Sequence, residues 1–418
     1  MNRHDAKAAR GFRREGALNF IRIPGVSAFQ CLSACLILLT AGCSSPGDPT
    51  RKGVDEAGRI AAEQTAPAPL KPYYQRIYME GESMAVLNRM RLASAAMELG
   101  LWLEAERALM EVVRDVEALG PADARSRQAL DDFHGEEVKR FKGEPYERAM
   151  AFYLRGLLYL RLKDWSNARA CFKSVQFHGA PAGSKAGMFW AGARWLEGWC
   201  NRQLGETDAA GCCWAETSRF GMPAPGGRDN LLLVALLGWG PVKVPTGEYG
   251  EKLEYREGPA GAAQFSWEGG GARKTSAGFD DLTAYANGRG RRHMDDVNAG
   301  KAETKGMVQT AGQVLTVGGG AAVLGGAVAD DATVAVAGLG AAAAGMAAQG
   351  TASAINAKAD TRAWDLLPAR IGILSVHVPA GQLKGCVRFL DVKGGQVREV
   401  KVEREMGTEP EFWLGFCR

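Results

Sequence analysis

Residues 156–172 read Gly-Leu-Leu-Tyr-Leu-Arg-Leu-Lys-Asp-Trp-Ser-Asn-Ala-Arg-Ala-Cys-Phe, and their spacing of small and bulky residues defines a pattern for the first half of the chain. Gly156 is followed by Ala168 twelve positions later and by Phe172 four positions after that. A small residue lets two helices approach closely, and a bulky residue fills the space between them. The stretch therefore predicts two helices joined by a turn.

The same spacing occurs twice more, at Ala93, Ala105 and Leu109 and at Gly198, Ala210 and Trp214. The alanines are 63 and then 42 positions apart. The first distance is the longer one because a charged stretch, 121–142, is inserted between the first two units. The pattern resembles the tetratricopeptide repeat, a helix–turn–helix unit. We predict a tetratricopeptide-like helical repeat domain over 76–225. A helical bundle with coincidental spacing is the alternative.

A repeat of this kind has a concave groove lined by its first helices. Aromatic and arginine side chains are common anchors of interfaces. The spacing gives six partner-binding candidates: Tyr153, Leu157, Arg161, Trp195, Trp199 and Arg202. The alternative is that the aromatic rings belong to the core.

Residues 226–418 change to a strand-like pattern, and we predict an α+β domain there. The apolar run after Asn230 predicts a buried strand, and 241–245 and 251–256 predict two short strands around a turn. Residues 258–278 predict a glycine-rich loop or lid, and 280–305 a polar helix. Three strands are expected near the end of the chain: a central one from 371, a half-exposed one around 400–402 and a closing one at 412–416.

A Gly/Ala-rich segment, 306–357, is inserted in this domain. Its two halves carry no charge and flank Asp330-Asp331, which predicts a helical hairpin with the aspartates at its tip. Leu, Ile and Phe are sparse, so packing on the protein is preferred to entry into a membrane. The predicted fold class is thus α+β, with N-terminal tetratricopeptide-like repeats and a small β-rich domain carrying the inserted hairpin.

Residues 1–42 have the layout of a signal peptide, with basic residues before an apolar run that ends in Leu39-Thr-Ala-Gly-Cys43. A cysteine after small residues resembles the lipobox of bacterial lipoproteins, although Thr40 replaces the usual leucine. The resemblance implies cleavage before Cys43 and attachment of diacylglycerol and a fatty acid such as palmitate. Residues 43–75 then predict a flexible tether. An ordinary signal peptide or a short membrane anchor is the alternative.

Charge and cysteine content limit the function classes. The first 42 residues hold six of the 51 basic and two of the 47 acidic residues, so the remainder carries 45 of each. This balance gives no support for nucleic-acid binding. Six cysteines follow Cys43, and they are expected either as disulfides or as buried free thiols, since no spacing among them suggests a metal site.

No sequence pattern of catalysis is found. The five histidines do not form a His-Glu-x-x-His pair, and Gly-x-Ser-x-Gly and the phosphate-binding Gly-Lys-Ser/Thr sequence are missing. We therefore predict a protein that is not an enzyme, with no cofactor and no metal. An envelope enzyme of unrecognised type remains an alternative.

Three motifs together resemble a poorly characterised family of bacterial lipoproteins with tetratricopeptide-like repeats. They are Phe141-Lys-Gly-Glu-Pro-Tyr-Glu-Arg, Gly238-Trp-Gly-Pro-Val-Lys and Asp360-Thr-Arg-Ala-Trp-Asp-Leu-Leu-Pro-Ala-Arg-Ile. The resemblance implies a fold and a location and no established chemistry.

We predict an outer-membrane lipoprotein facing the periplasm, an assignment that Ser44 after the lipid cysteine suits. Its partners would be the membrane, through the lipid anchor, and an unidentified envelope protein or peptide. The predicted role is a non-catalytic binding scaffold in cell-envelope assembly. The alternative is a membrane-active or oligomerising assembly or export factor that uses the hairpin.

Overall fold

The computed structural model describes residues 56–118, 140–180, 189–276, 278–288, 293–328, 332–355, 357–407 and 409–418. The predicted signal peptide, Cys43 and Asp330-Asp331 lie outside these residues. All described residues belong to one compact unit.

The first described region is helical. Its α-helices are α1 (Glu56–Thr65), α2 (Lys71–Met79), α3 (Glu82–Glu98), α4 (Trp102–Glu117), α5 (Pro145–Arg161), α6 (Trp165–Gly179), α7 (Ala191–Gln203) and α8 (Thr207–Ser218). The prediction of a flexible tether over 43–75 is wrong from Glu56 onward, since α1, a short 3-10 helix (Ala68–Leu70) and α2 lie there. Leu70 is fully buried, and the prolines of this stretch begin helices, where a proline needs no N–H partner.

Helices α3 to α8 form three consecutive helical pairs with one shared geometry. The turn of each pair contains a residue with positive φ, at Gly100 (71°), Lys163 (59°) and Gly205 (80°). In the second pair, a Cβ added to Gly156 would lie 2.8 Å from the ring of Phe172. In the third, a Cβ on Gly198 would lie 2.6 Å from Trp214 Nε1. In the second and third pairs, the bulky residue of the second helix therefore packs directly on the glycine backbone of the first.

The rest of the described chain mixes strands and helices, which confirms the α+β class. The strands are β1 (Leu231–Leu237), β2 (Val242–Thr246), β3 (Lys252–Arg256), β4 (Gln264–Gly269), β5 (Ala272–Thr275), β6 (Gly278–Asp281), β7 (Arg370–Val376), β8 (Gly381–Leu390), β9 (Gln396–Met406) and β10 (Glu411–Cys417). They form a middle sheet in the order β10-β1-β7-β6, an antiparallel outer sheet in the order β5-β4-β8-β9, and the hairpin β2-β3. β1 runs parallel to β10 and antiparallel to β7.

The prediction of a loop or lid over 258–278 is wrong from Gln264 onward, because β4 and β5 pair there. Gly270 and Gly271 both have positive φ, 59° and 79°, and make the two-residue turn between these strands. Such a turn favours glycine at both positions. The glycines therefore close a strand hairpin.

β1 is buried on both faces and divides the core in two. Leu232, Val234 and Leu236 belong to a core shared with the helices. The alternate residues of β1 belong to a second core, formed with Phe265 and Trp267 of the outer sheet. The described structure therefore has three layers, with the helical pairs, the middle sheet and the outer sheet in that order. The predicted domain boundary at 225/226 lies between α8 and β1, and the first core continues across it.

A helical excursion separates β6 from β7. It comprises α9 (Leu282–Asn287), α10 (His293–Val328) and α11 (Ala332–Ala354), and α10 alone has 36 residues. The predicted polar helix 280–305 is divided among β6, α9 and the first turns of α10. Antiparallel helices α10 and α11 occupy the segment predicted as a hairpin.

The two helices of the α10–α11 hairpin touch through glycine backbone. A Cβ added to Gly312 would lie 2.8 Å from the carbonyl oxygen of Gly345, and one on Gly319 would lie 2.3 Å from the backbone nitrogen of Ala342. Any side chain at these positions would force the helices apart. Small residues therefore set the separation of the two helices.

Candidate functional site

The structure places most of the six partner-binding candidates in the core. Tyr153, Leu157, Trp195 and Trp199 are each at most 4% exposed. Their helices, α5 and α7, pack against strands of the middle sheet, which covers the surface predicted as a groove. The prediction that these four side chains bind a partner in an open groove is therefore wrong for this structure.

The two arginines of this set differ. Arg161 is exposed, and its guanidinium lies 4.7 Å from the ring centre of Trp102. Arg202 is partly buried and stacks on Trp199 at 4.1 Å, while it donates a hydrogen bond of 2.9 Å to the carbonyl of Asp229. Arg202 thus ties α7 to the segment that leads into β1. Only Arg161 keeps a surface position from which it can reach a partner.

The three motifs that carry the family resemblance meet in one buried cluster. Lys243 Nζ lies 3.3 Å from Glu147 Oε2 and 3.8 Å from Glu144 Oε1, and it donates a hydrogen bond of 2.6 Å to the carbonyl of Arg362. The remaining oxygen of Glu147 accepts a 2.8 Å hydrogen bond from the backbone nitrogen of Trp364. We call Glu144, Glu147, Lys243 and Arg362 the junction cluster.

Local structure explains how the junction cluster is held. Glu144 and Glu147 form a capping box at the start of α5, in which each side chain accepts from the other's backbone N–H. Trp364 donates from its indole to Ser94 of α3, at 2.9 Å. Arg362 pairs with Asp360 at 2.8 Å. The segment before β7 is thus bound to the helical pairs through Trp364.

The burial of the junction cluster decides its role. The side chains of Lys243, Glu144 and Glu147 are 2%, 3% and 0% exposed. Charges buried to this degree are stabilised only by their partners, and the loss of one partner is costly. A lysine between carboxylates could transfer protons, but here it presents almost no surface to a substrate. We interpret the cluster as a junction between the helical pairs, strand β2 and the segment before β7.

A second buried polar group surrounds Asp280 of β6, and the sequence analysis does not predict it. The Asp280 carboxylate accepts hydrogen bonds from Tyr285 O–H (2.6 Å) and from the backbone nitrogen of Gly192 (3.0 Å). Gly192 is in the first turn of α7, where free N–H groups and the helix dipole favour an anion. Burial raises the pKa of Asp280, and these hydrogen bonds partly offset the rise. Asp280 therefore caps α7 from the neighbouring sheet.

The α10–α11 hairpin exposes several large apolar side chains. Its large exposed side chains, which we call the hairpin surface, are Met307, Val314, Leu315, Val317, Leu339 and Met346. Val314 is 66% exposed and Val317 73%. From Gly306 to the end of α10, and throughout α11, no residue is charged. Met307, Val314 and Val317 are spaced seven and then three positions apart, so they share one side of α10, and an exposed apolar stripe of this kind commonly marks an interaction site.

The base of the hairpin is fixed to the β2-β3 turn. Tyr249 O–H donates to Gln309 Oε1 at 3.3 Å, and Lys305 Nζ lies 5.0 Å from the centre of the Tyr249 ring. Between this turn and α10 there is an open cavity of about 1010 Å³, lined by acidic residues such as Glu251 and by the apolar side chains of Met307 and Val314. The hairpin surface thus continues into a groove at its base.

Other features of the described residues give no catalytic centre. No three His, Cys, Asp or Glu side chains among them are grouped to hold a metal ion. Within the same residues, no helix is long and apolar enough to cross a membrane. The six cysteines after Cys43 are free thiols, and burial raises the pKa of Cys171 to about 12 and of Cys213 to about 11.

Comparison of the chain with protein-family models, with curated proteins and with solved structures finds no match. The resemblance to bacterial lipoproteins therefore stays a prediction from the sequence.

Proposed function

We propose that the protein is a non-catalytic, lipid-anchored scaffold of the bacterial cell envelope that binds a protein partner through the hairpin surface. The single observation that carries this proposal is the exposed, charge-free apolar surface of α10 and α11. A folded protein gains nothing in stability from large apolar side chains left in water, and their clustering on one projecting element favours a binding role.

The three helical pairs supply the scaffold in this proposal. Their shared turn geometry and their glycine-to-aromatic contacts support a tetratricopeptide-like repeat. The middle sheet takes the position that a bound peptide has in an open repeat of that kind. In this proposal the partner binds the hairpin and not the repeat, while the junction cluster joins helix α5 to β2 and to the segment before β7.

The location in this proposal depends on Cys43. A lipid on this residue would anchor the chain in the outer membrane, with the folded body in the periplasm. The amino-terminal apolar run and its small residues before Cys43 support this assignment.

Photo-crosslinking in intact cells tests the binding surface. The photoreactive residue benzoylphenylalanine replaces Val317 in the full chain, and it replaces Val397 of β9 in the control, since that valine is 46% exposed on a different element. We expect a protein adduct from position 317 that is at least tenfold more abundant than from position 397. Equal yields at the two positions would exclude the hairpin as the binding surface.

A membrane-active role is the second candidate, because a charge-free helical surface also suits the edge of a bilayer. The same crosslinking experiment separates the two. An adduct with phospholipid in place of protein would favour the membrane-active role.

A further inference from the structure

We propose that the hairpin surface binds the hairpin surface of a second copy of this chain. The inference deepens the proposed scaffold role and rests on it, since it names the partner at the same surface. It is carried by the charge, the area and the chemistry of α10 and α11.

Charge is the first argument. Most assemblies of identical chains are closed by a twofold axis, which sets one surface patch against itself. A charged patch would then face its own charge. Apart from Asp330-Asp331, the segment from Gly306 through Ala354 carries no charged residue, so two copies can meet along helices α10 and α11 without repulsion.

Area is the second argument. The 23 residues of α11 give a length of about 35 Å at ~1.5 Å per residue, and two packed helices are about 20 Å wide. One side of the hairpin therefore offers about 700 Å². Standard protein interfaces bury about 800 Å² on each partner. A hairpin-to-hairpin contact thus has about the area that a specific dimer needs.

The exposed side chains favour protein over lipid as the occupant. Thr310 and Gln313 are exposed among the apolar residues of α10. Their polar groups can bond to water or to a second chain at a protein interface, whereas hydrocarbon would leave them unsatisfied. Most of the remaining surface is alanine and glycine, which gain little from leaving water but let helices pack closely.

The outward glycines permit this approach. A Cβ added to Gly318, Gly320 or Gly340 would meet no atom within 4 Å, whereas one on Gly312, Gly319 or Gly345 would collide with the partner helix. The first three glycines therefore take no part in the contact between α10 and α11. Gly318 follows Val314 by four positions, so it leaves a low point beside this valine into which a second hairpin can fit.

The decisive experiment identifies the adduct formed from benzoylphenylalanine at Val317, Leu315 and Leu339 in the full chain, each introduced separately. Mass spectrometry of the crosslinked band should show peptides of this chain on both sides of the link. An adduct that contains only another protein would overturn the second copy as partner and leave the scaffold role standing. An adduct with phospholipid alone, or none at any of the three positions, would overturn both.

Charge-swapped variants give a second test that does not depend on crosslinking. Val314→Glu with Val317→Glu, and Val314→Lys with Val317→Lys, are each expressed as two copies carrying different affinity tags. We expect capture of one copy by the other to fall at least tenfold when both carry the same charge. Capture should return when a Glu copy meets a Lys copy, which also shows that both variants fold. Unchanged capture between like-charged copies would contradict the proposal.

Discussion

The aromatic ring of Phe172 lies where a side chain on Gly156 would be, with the nearest ring carbon 2.8 Å from the position of a Cβ. The same relationship joins Trp214 and Gly198 in the next helical pair. Each glycine therefore leaves space for an aromatic ring that lies sixteen positions later in the sequence.

Gly156→Ala should destabilise the helical pairs, since the methyl group and the Phe172 ring cannot both occupy this space. We expect the free energy of unfolding to fall by about 1–3 kcal/mol. Gly211→Ala is the matched control, because Gly211 is in α8 with no atom within 4 Å of its Cβ position. The control should gain about 0.5–1 kcal/mol from helix propensity. Urea unfolding measures both, and a loss in the control equal to that of Gly156→Ala would show that the contact with Phe172 is not the cause.

Lys243→Met should be strongly destabilising, because it removes the buried cation that lies 3.3 Å from the fully buried carboxylate of Glu147. Removal of one partner from a buried ion pair costs about 3–5 kcal/mol. Arg256→Met is the control, since Arg256 pairs with Glu254 at 3.5 Å with both side chains more than half exposed. Exposed pairs contribute about 0–1 kcal/mol. Thermal unfolding followed by circular dichroism should separate the two variants clearly, and similar melting temperatures would mean that the junction cluster is not a stabilising junction.

Asp280→Asn should change how stability depends on pH. Burial raises the pKa of Asp280 above its ordinary value of 3.8. As the pH rises from 3.8, the unfolded carboxyl therefore loses its proton before the folded one, and the wild type loses stability until the folded carboxyl also ionises.

An asparagine at 280 does not titrate, so urea unfolding should show that the stability of the variant increases relative to that of the wild type as the pH rises above 3.8. Asp281→Asn, at the adjacent N-cap of α9, is the control and removes a carboxylate that accepts from Ala284 N–H at 3.0 Å. Parallel pH profiles for wild type and Asp280→Asn would contradict the assignment.

Gly319→Ala should loosen the α10–α11 hairpin, because its methyl group would lie 2.3 Å from the backbone of Ala342. The neighbouring Gly320→Ala adds the same methyl group where no atom lies within 4 Å, and it should be neutral or slightly stabilising. Hydrogen exchange of the hairpin amides compares the two. Faster exchange in Gly319→Ala alone is expected, and equal exchange in both would place the helix contact elsewhere.

Cys43→Ser should abolish labelling of the chain by a palmitate analogue in growing cells, because the lipid is expected on this thiol. Cys35→Ser, within the predicted signal peptide, should keep full labelling. The lipoprotein assignment would be wrong if both variants were labelled like the wild type.

The sequence predicts elements well where their pattern is local. The helical pairs follow from the spacing of Gly156, Ala168 and Phe172, and β1 follows from seven consecutive apolar residues. Gly270-Gly271 illustrates a local signal that was misread, since two glycines between short strands also favour a tight turn.

The candidate site was harder to predict, because its contacts join distant segments. Spacing shows that Tyr153 and Leu157 share an apolar helix face, but not whether a partner or the chain's own sheet covers it. Glu144 and Glu147 are recognisable as a capping box, whereas Lys243 is 96 residues from Glu147. The role of Asp280 could not be recognised from the sequence, because Asp281 beside it is an ordinary N-cap of α9 and the two aspartates together look like a helix start.

The pairing of β1 in the middle sheet determines when the protein can become native. Leu231 pairs with Glu411, 180 residues later, and with Val376 of β7. Until β7 and β10 have been synthesised, the seven apolar residues of β1 have neither neighbouring strand. An unpaired apolar segment without charge or proline is prone to aggregate. Pairings so distant in the chain also form slowly. We therefore expect the nascent protein to depend on a chaperone until β10 joins the sheet. The yield of folded protein should fall sharply in cells that contain too little of that chaperone.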